Sequence, residues 1–250
     1  MNWDLKNKVA VITGGTKGIG LAIANEFLLL GASLIVIARN GDQMIDCLLA
    51  WNQKGYKVKG IVGDLTDFDN YPELLKKIAE EKIDILINNV GGNLPKKFND
   101  FSAEEINHVF NQNIISNIRF TQLLFNKLRA SQNACVVNIS SVAGFEDVGT
   151  GSMYAICKAS LIQLTKSLAV EWAPYHIRVN GVAPWFTGTD RINQLLKNEE
   201  LEDFVIKNTP LKKIAQPDEI ANAVAFLAMN KSSYITGETI IVDGGYLANQ

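Results

Sequence analysis

Cysteine is scarce in this 250-residue sequence, with only Cys47, Cys135 and Cys157 at wide spacings. An odd, scattered set does not suggest a disulfide framework. It also lacks the paired Cys or His spacing of a zinc site, so no metal is expected. An excess of basic charge is missing too: 24 Lys and Arg stand against 26 Asp and Glu, for a formal net charge of −2. That balance argues against a nucleic-acid partner. Long apolar runs are absent. The longest, Phe27 to Ala38, is broken by Gly31 and Ser33 and is too short to span a bilayer, so no membrane partner is expected. Met1 to Lys8 holds no basic start followed by an apolar stretch, which argues against a signal peptide. Together with the unpaired thiols, this gives a cytoplasmic protein as the expectation. No Pro/Gly/Ser-rich linker, repeat or low-complexity tract divides the chain. One domain over residues 1–250 is the expectation.

What is present is a rhythm. Lys8–Thr13, Ser33–Ala38, Lys57–Val62 and Asp84–Asn88 read as buried strands, and so do Ala134–Ile139, Ile177–Val182 and Thr239–Val242. Between them, helical spacing covers Ile19–Leu30, Gln43–Asn52, Tyr71–Glu80, Met153–Trp172 and Pro217–Met229. Ala103–Arg129 reads as two helices or one bent helix. Repeated βα units predict an α/β fold: a doubly wound, Rossmann-type sheet of seven parallel strands with helices on both faces. Thr187 to Thr209 is polar, charged and out of rhythm. It reads as an insertion over the sheet's carboxyl edge, where such sheets bind ligands. The acidic pairs Glu80-Glu81 and Glu199-Glu200, each beside a lysine, read as solvated helix faces.

Thr13 to Gly20 reads TGGTKGIG and lies between the first strand and the first helix. Glycines there permit a tight turn and close approach of a phosphate, and the helix start offers free N–H groups. Gly14, Thr16, Lys17, Gly18, Ile19 and Gly20 are the expected cofactor contacts. A dinucleotide site specific for NAD carries a carboxylate about 20 residues further on. Here the second strand ends in Ala38-Arg39, and no acid follows until Asp42. Arg39 and Lys17 are therefore expected to hold a 2′-phosphate, making the cofactor NADP(H).

Ser141 follows the fifth strand, and Tyr154 and Lys158 share one face of the long helix at a four-residue spacing. A free tyrosine titrates near 10, too high for easy proton exchange at neutral pH. The ammonium of Lys158 is expected to lower it, and Ser141 to hydrogen-bond a carbonyl oxygen. On spacing alone, YxxxK is a weak signal.

The pieces in series are TGGTKGIG at Thr13, DL at Asp64-Leu65, NNVGG at Asn88, NQN ending at Asn113, VVNISS ending at Ser141, YAICK at Tyr154, IRVNGVAP ending at Pro184 and ITGETIIVDGG ending at Gly245. In order and spacing this sequence resembles the short-chain dehydrogenase/reductase family over nearly its whole length. The resemblance implies Tyr154 as acid/base, Lys158 as its partner on the nicotinamide ribose, Ser141 on the substrate oxygen and Asn113 in a water-linked proton relay. It places Asp64 and Leu65 at the adenine and Asn89 to Gly91 along the cofactor. Thr187 and Thr189 would meet the carboxamide, beside Pro184. Three positions depart from the family pattern. Val90 replaces an alanine, Trp185 follows Pro184 where glycine is usual, and Cys157 precedes the lysine in place of Ser or Thr. Trp185 is expected to reshape the pocket, and Cys157 to be a buried thiol.

Within the family, DCLLAWNQKGYKV (Asp46–Val58) and SSYITGETIIVDGGYLAN are similar to tropinone-reductase-like members. The expected substrate is a small-molecule carbonyl, held by Ser141, Phe145, Trp185 and Phe186. Met153 and Val148 stand nearby; Glu146 and Asp147 read as surface carboxylates, the alternative being that they attract a cationic amine. A 3-oxoacyl-(acyl carrier protein) reductase and a sugar or polyol dehydrogenase share the same frame, and a catalytically silent NADP-sensing protein is the non-enzymatic alternative. Asn113, Ser141, Tyr154 and Lys158 all being present favours the enzyme. His108 and His176 read as structural. The resemblance also implies a homo-oligomer, a dimer or tetramer.

Overall fold

The computed structural model describes residues 3–249. Seven strands form one sheet, all parallel, in the order β3-β2-β1-β4-β5-β6-β7. The strands are β1 (Val9–Thr13), β2 (Ser33–Ala38), β3 (Val58–Val62), β4 (Ile85–Asn88), β5 (Ala134–Ile139), β6 (Ile177–Pro184) and β7 (Thr239–Val242). Nine α-helices are described: α1 (Gly18–Leu29), α2 (Gly41–Gln53), α3 (Tyr71–Lys77), α4 (Ala103–Phe110), α5 (Ser116–Arg129), α6 (Ser152–Trp172), α7 (Asp190–Leu195), α8 (Glu199–Asn208) and α9 (Pro217–Ala228).

The strands read as unbroken apolar runs because both sheet faces are covered, which is how parallel sheets are built. Alternate residues divide between two cores. Ala10, Ile12, Leu34, Val36, Ile85, Ile87, Cys135 and Val137 pack under α1, α2 and α9, against Ile23, Phe27, Trp51, Ile220 and Val224. Their neighbours Val11, Ile35, Ile37, Leu86, Val136 and Val179 face α3, α5 and α6, against Leu74, Phe120, Leu124 and Trp172. Each fully buried Ile, Leu or Val contributes roughly 1.5–3 kcal/mol.

Chain order reverses between β1, which continues to β2 on one side, and β4 on the other. In open α/β sheets this reversal opens a crevice at the carboxyl ends of the strands. Every expected site segment lies at that edge.

One local expectation is corrected and two are made more specific. The helix predicted to reach Glu80 stops at Lys77, because Ile78 leaves helical geometry at ψ 77 and is fully buried with Ile83 in the second core. Glu80 and Glu81 therefore lie beyond the helix, and the Glu80 carbonyl accepts a 2.6 Å bond from Lys127 Nζ. The segment 103–129 is two α-helices joined without a break by a wider π turn at Asn111–Ile115. Such turns recur at functional sites. Finally, the out-of-rhythm insertion holds two short helices: Thr189 caps α7 and Asn198 caps α8 through their side-chain oxygens.

Candidate active site

The glycine loop is shaped by what its residues cannot carry. Gly14 and Gly18 have φ of +67° and +53°, where an L side chain is strained. A Cβ on Gly20 would collide with the Gly14 carbonyl oxygen. Asn89, after β4, ties this loop down: its Nδ2 donates to the carbonyls of Thr13 and Gly14 at 3.0 and 3.1 Å. Thr13 Oγ1 accepts from Asn89 N and donates to the Ile87 carbonyl. The start of α1 has no side-chain cap and no acid in its first turn. Its N–H groups are therefore left for an anion, with buried Thr16, exposed Lys17 and half-buried Ile19 around them.

At the end of β2, Arg39 is 58% exposed and its Nη1 lies 3.5 Å from Asp64 Oδ2. Burial alone would raise the Asp64 pKa. Hydrogen bonds from the Thr66 N–H and hydroxyl, with the charge of Arg39, outweigh it and hold the carboxyl below its ordinary value. Leu65, beside it, is buried, and its carbonyl accepts from the Tyr71 hydroxyl. Arg39, expected at a 2′-phosphate, and Asp64, expected at the adenine, are thus neighbours.

Asn113 sits in the π turn, fully buried. Its Nδ2 donates to the carbonyls of Gly92 and Val109, and its Oδ1 accepts from Gly92 N. Gly91 lies against it, since a Cβ there would come within 2.8 Å of Asn113 Oδ1 and 3.2 Å of Lys158 Nζ. Lys158 is 4% exposed and donates from Nζ to the Ile139 carbonyl at 2.9 Å. Its ammonium stands over the Tyr154 ring, 5.5 Å from the centroid. Ser141 begins the turn after β5, its Oγ accepting from Ala143 N. Asn113, Ser141, Tyr154 and Lys158, which come from three separate segments, therefore converge at one point of the sheet edge.

The electrostatics differ from the expectation in one respect. Burial pushes the Tyr154 phenol up, and the opposing pulls come from Ser141 and from the charge of Arg191. Burial outweighs these pulls, so the net lowering expected of Tyr154 is not found. Burial also lowers Lys158 itself to about 8. The Cys157 thiol is buried and pushed up to about 11 by desolvation, so it is a thiol rather than a thiolate at neutral pH.

The insertion closes the edge. Thr187 pairs with Ala215 as a short bridge and donates from Oγ1 to the Trp185 carbonyl. Thr189 lies on the glycine loop: a Cβ on Gly18 would come within 3.0 Å of Thr189 Cγ2. Pro184 is buried at the end of β6. Trp185 does not hang free in the crevice. It is 7% exposed, stacks on Tyr246 with ring centroids 3.8 Å apart, meets Phe186 edge-on and donates from Nε1 to Thr209 Oγ1. With Val142, Leu196 and Val205 it forms the small core under α7 and α8. Phe145, at 46%, is exposed.

Two residues near this site carried no signal in the sequence. Arg191, in the first turn of α7, donates from Nη2 to the Asn93 carbonyl, and Asn93 Nδ2 donates to the Thr150 carbonyl. Arg191 is one arginine in a charged stretch, and only the fold brings it to Tyr154.

Comparison with known proteins identifies the family. Residues 14–247 match the family described as enoyl-(acyl carrier protein) reductase. A chloroplastic tropinone reductase homolog of Arabidopsis thaliana is 41% identical, over 99% of this chain and 78% of its own. A tropinone reductase homolog of Datura stramonium is 38% identical, over 99% of this chain and 94% of its own. The L-sorbose reductase of Gluconobacter frateurii, solved with NADPH and L-sorbose, superposes with a TM-score of 0.92 at 27% identity, covering 99% of both chains. The chain belongs to the short-chain dehydrogenase/reductase family of oxidoreductases.

Proposed function

We propose that this protein reduces a ketone to a secondary alcohol at the expense of NADPH. The convergence of Asn113, Ser141, Tyr154 and Lys158 beside a glycine loop carries this reading. The residues present fit the cofactor. The Gly14–Gly20 cradle excludes side chains where a pyrophosphate would approach, and the bare start of α1 offers it N–H donors. Arg39 presents a planar fork to a 2′-phosphate, and its neighbour Asp64 would share it. Lys17, Leu65, Asn89 and Gly91 would line the dinucleotide, and Pro184, Thr187 and Thr189 its nicotinamide end. The L-sorbose reductase solved with NADPH supports a nicotinamide cofactor in this frame.

A bound reduced nicotinamide supplies the hydride. The protein's own part is the proton. A phenol whose pKa burial has raised is protonated at neutral pH, which is the form needed to donate to an oxygen gaining negative charge. Ser141 orients that oxygen. Lys158, held by Ile139, places a positive charge over the Tyr154 ring and stabilises the phenolate left behind. Asn113 clamps Gly92 and so fixes the wall next to Lys158. The substrate pocket lies between Ser141, exposed Phe145 and the Trp185-Phe186 corner.

The similarity to tropinone reductase homologs supports a ketone as substrate. The experiment is a panel of cyclic and open-chain ketones with NADPH or NADH, following loss of reduced-nicotinamide absorbance. The expected outcome is turnover with NADPH and much less with NADH. Equal rates with both would contradict the cofactor assignment.

A further inference from the structure

The corner formed by α7 and the loop after β4 holds a cation that nothing in the fold consumes. Arg191 is exposed, and among the described residues no ion pair joins it to a carboxylate. Its described hydrogen bond goes to the Asn93 carbonyl. A guanidinium has five N–H donors in a rigid fork, so most remain free. The anchor is well placed. Asn93 follows Gly92, whose N–H and carbonyl are both held by Asn113, and its side chain binds the Thr150 carbonyl on the segment leading into Tyr154. The fork is therefore pinned to the wall of the reaction site, one residue from the Asn113 clamp. At the same corner two enclosed hydroxyls, Thr150 Oγ1 and Ser152 Oγ, have no hydrogen-bond partner. The carboxylates of Glu146 and Asp147 bear on Tyr246, in the core under the insertion.

We propose that Arg191 makes the carboxyl group of an oxo acid the preferred feature of the substrate, gripping it while the ketone meets Ser141 and Tyr154. This rests on the reductase reading for the reacting carbonyl, and it adds the chemistry of the substrate's far end. Anion recognition by a planar fork is bidentate and charge-assisted, and it needs no second cation. Through Asn93 and the Thr150 carbonyl, Arg191 is tied to the segment leading into Tyr154, and its charge is felt at that phenol. The same field repels an aminoketone in its cationic form, although relatives of this chain carry the name of an aminoketone's reductase.

The test uses three probes of one shape: 4-oxocyclohexanecarboxylate, its methyl ester and 4-(dimethylamino)cyclohexanone. Their binding to the NADP⁺-loaded Tyr154→Phe protein is measured by titration calorimetry, and their turnover by the wild type with NADPH. The carboxylate is expected to bind at least about tenfold more tightly than the ester, as a charge-assisted pair requires. Arg191→Gln in the same background brings that ratio to about one, and Arg191→Lys restores part of it. Equal binding of acid and ester, no binding of either, or a preference that survives Arg191→Gln overturns the proposal. If the preference appears but none of the probes consumes NADPH in the wild type, the reductase reading fails while the anion assignment stands.

Discussion

The two sides of the sheet's carboxyl edge are built on different principles. On the β1–β4 side, backbone shapes the site: glycines at positive φ and a Gly20 without room for a methyl group, with the Asn89 side chain tying two loop carbonyls. On the β6 side, side chains hold it: the Trp185–Tyr246 stack, the Trp185–Thr209 bond and an apolar cluster beneath two short capped helices. A backbone cradle fits any dinucleotide and tolerates almost no substitution. A lid resting on side chains can be rebuilt without disturbing the sheet. The first side is thus suited to holding a common cofactor, and the second to fitting a particular substrate.

Substitutions on each side test this contrast, and the rigid side should respond most strongly. Gly20→Val drives a branched side chain into the Gly14 carbonyl and Asn89. NADPH binding should be lost in fluorescence titration while circular dichroism keeps the α/β signature. Trp185→Ala is the counterpart on the lid. Removing a large buried aromatic costs on the order of 3–5 kcal/mol locally, and here it also leaves Thr209 Oγ1 without its donor. The expectation is a raised KM for the carbonyl substrate, faster proteolysis within 187–209 and little change in NADPH affinity. An equal loss of both affinities would show that the two sides are not separable.

Arg39→Ala acts at the rim of the rigid side. It should weaken NADPH binding by roughly ten- to a hundredfold, the worth of charge-assisted hydrogen bonds, and leave NADH nearly unaffected. Comparing the two dissociation constants checks it, and equal weakening would remove the 2′-phosphate assignment.

The last effect is on stability alone and concerns Lys158. Burial lowers its pKa from 10.5 to about 8. The folded state then binds fewer protons than the unfolded chain between those values, so this group's contribution to stability rises with pH from about 8 to about 10.5. Below pH 8 the buried charge costs on the order of 3 kcal/mol. Urea unfolding of wild type and Lys158→Met over pH 7–10 should show the wild type gaining on the variant as pH rises. Parallel curves would mean that the ammonium is less burdened by burial than its enclosure implies.

Much of this architecture is legible in the sequence, for physical reasons. Strands covered on both faces must be apolar at every position, so SLIVIA and ACVVNI announce themselves. Glycine loops are visible because backbone approach forbids anything else. The lid helices are less legible, since α7 spans six residues and too short a run shows no periodicity. Their caps, Thr189 before Asp190 and Asn198 before Glu199-Glu200, were the available signal. The end of α3 is not legible, because Ile78 continues an apolar pattern that tertiary packing, not helix, uses. In the site, spacing brought Tyr154 and Lys158 to one helix face but could not weigh burial against charge, so the direction of the Tyr154 shift was missed. Arg191 was invisible, because its importance comes from the loop it crosses to and not from its neighbours in the chain.

The central claim is that Tyr154 donates the proton. Its direct test is Tyr154→Phe, which keeps the ring under Lys158 and removes only the hydroxyl. With a ketone that the wild type reduces, kcat/KM should fall by at least about 10²-fold, the usual worth of a positioned general acid, while NADPH affinity and thermal stability stay close to wild type. Reduction of the ketone at the wild-type rate by Tyr154→Phe would contradict the account.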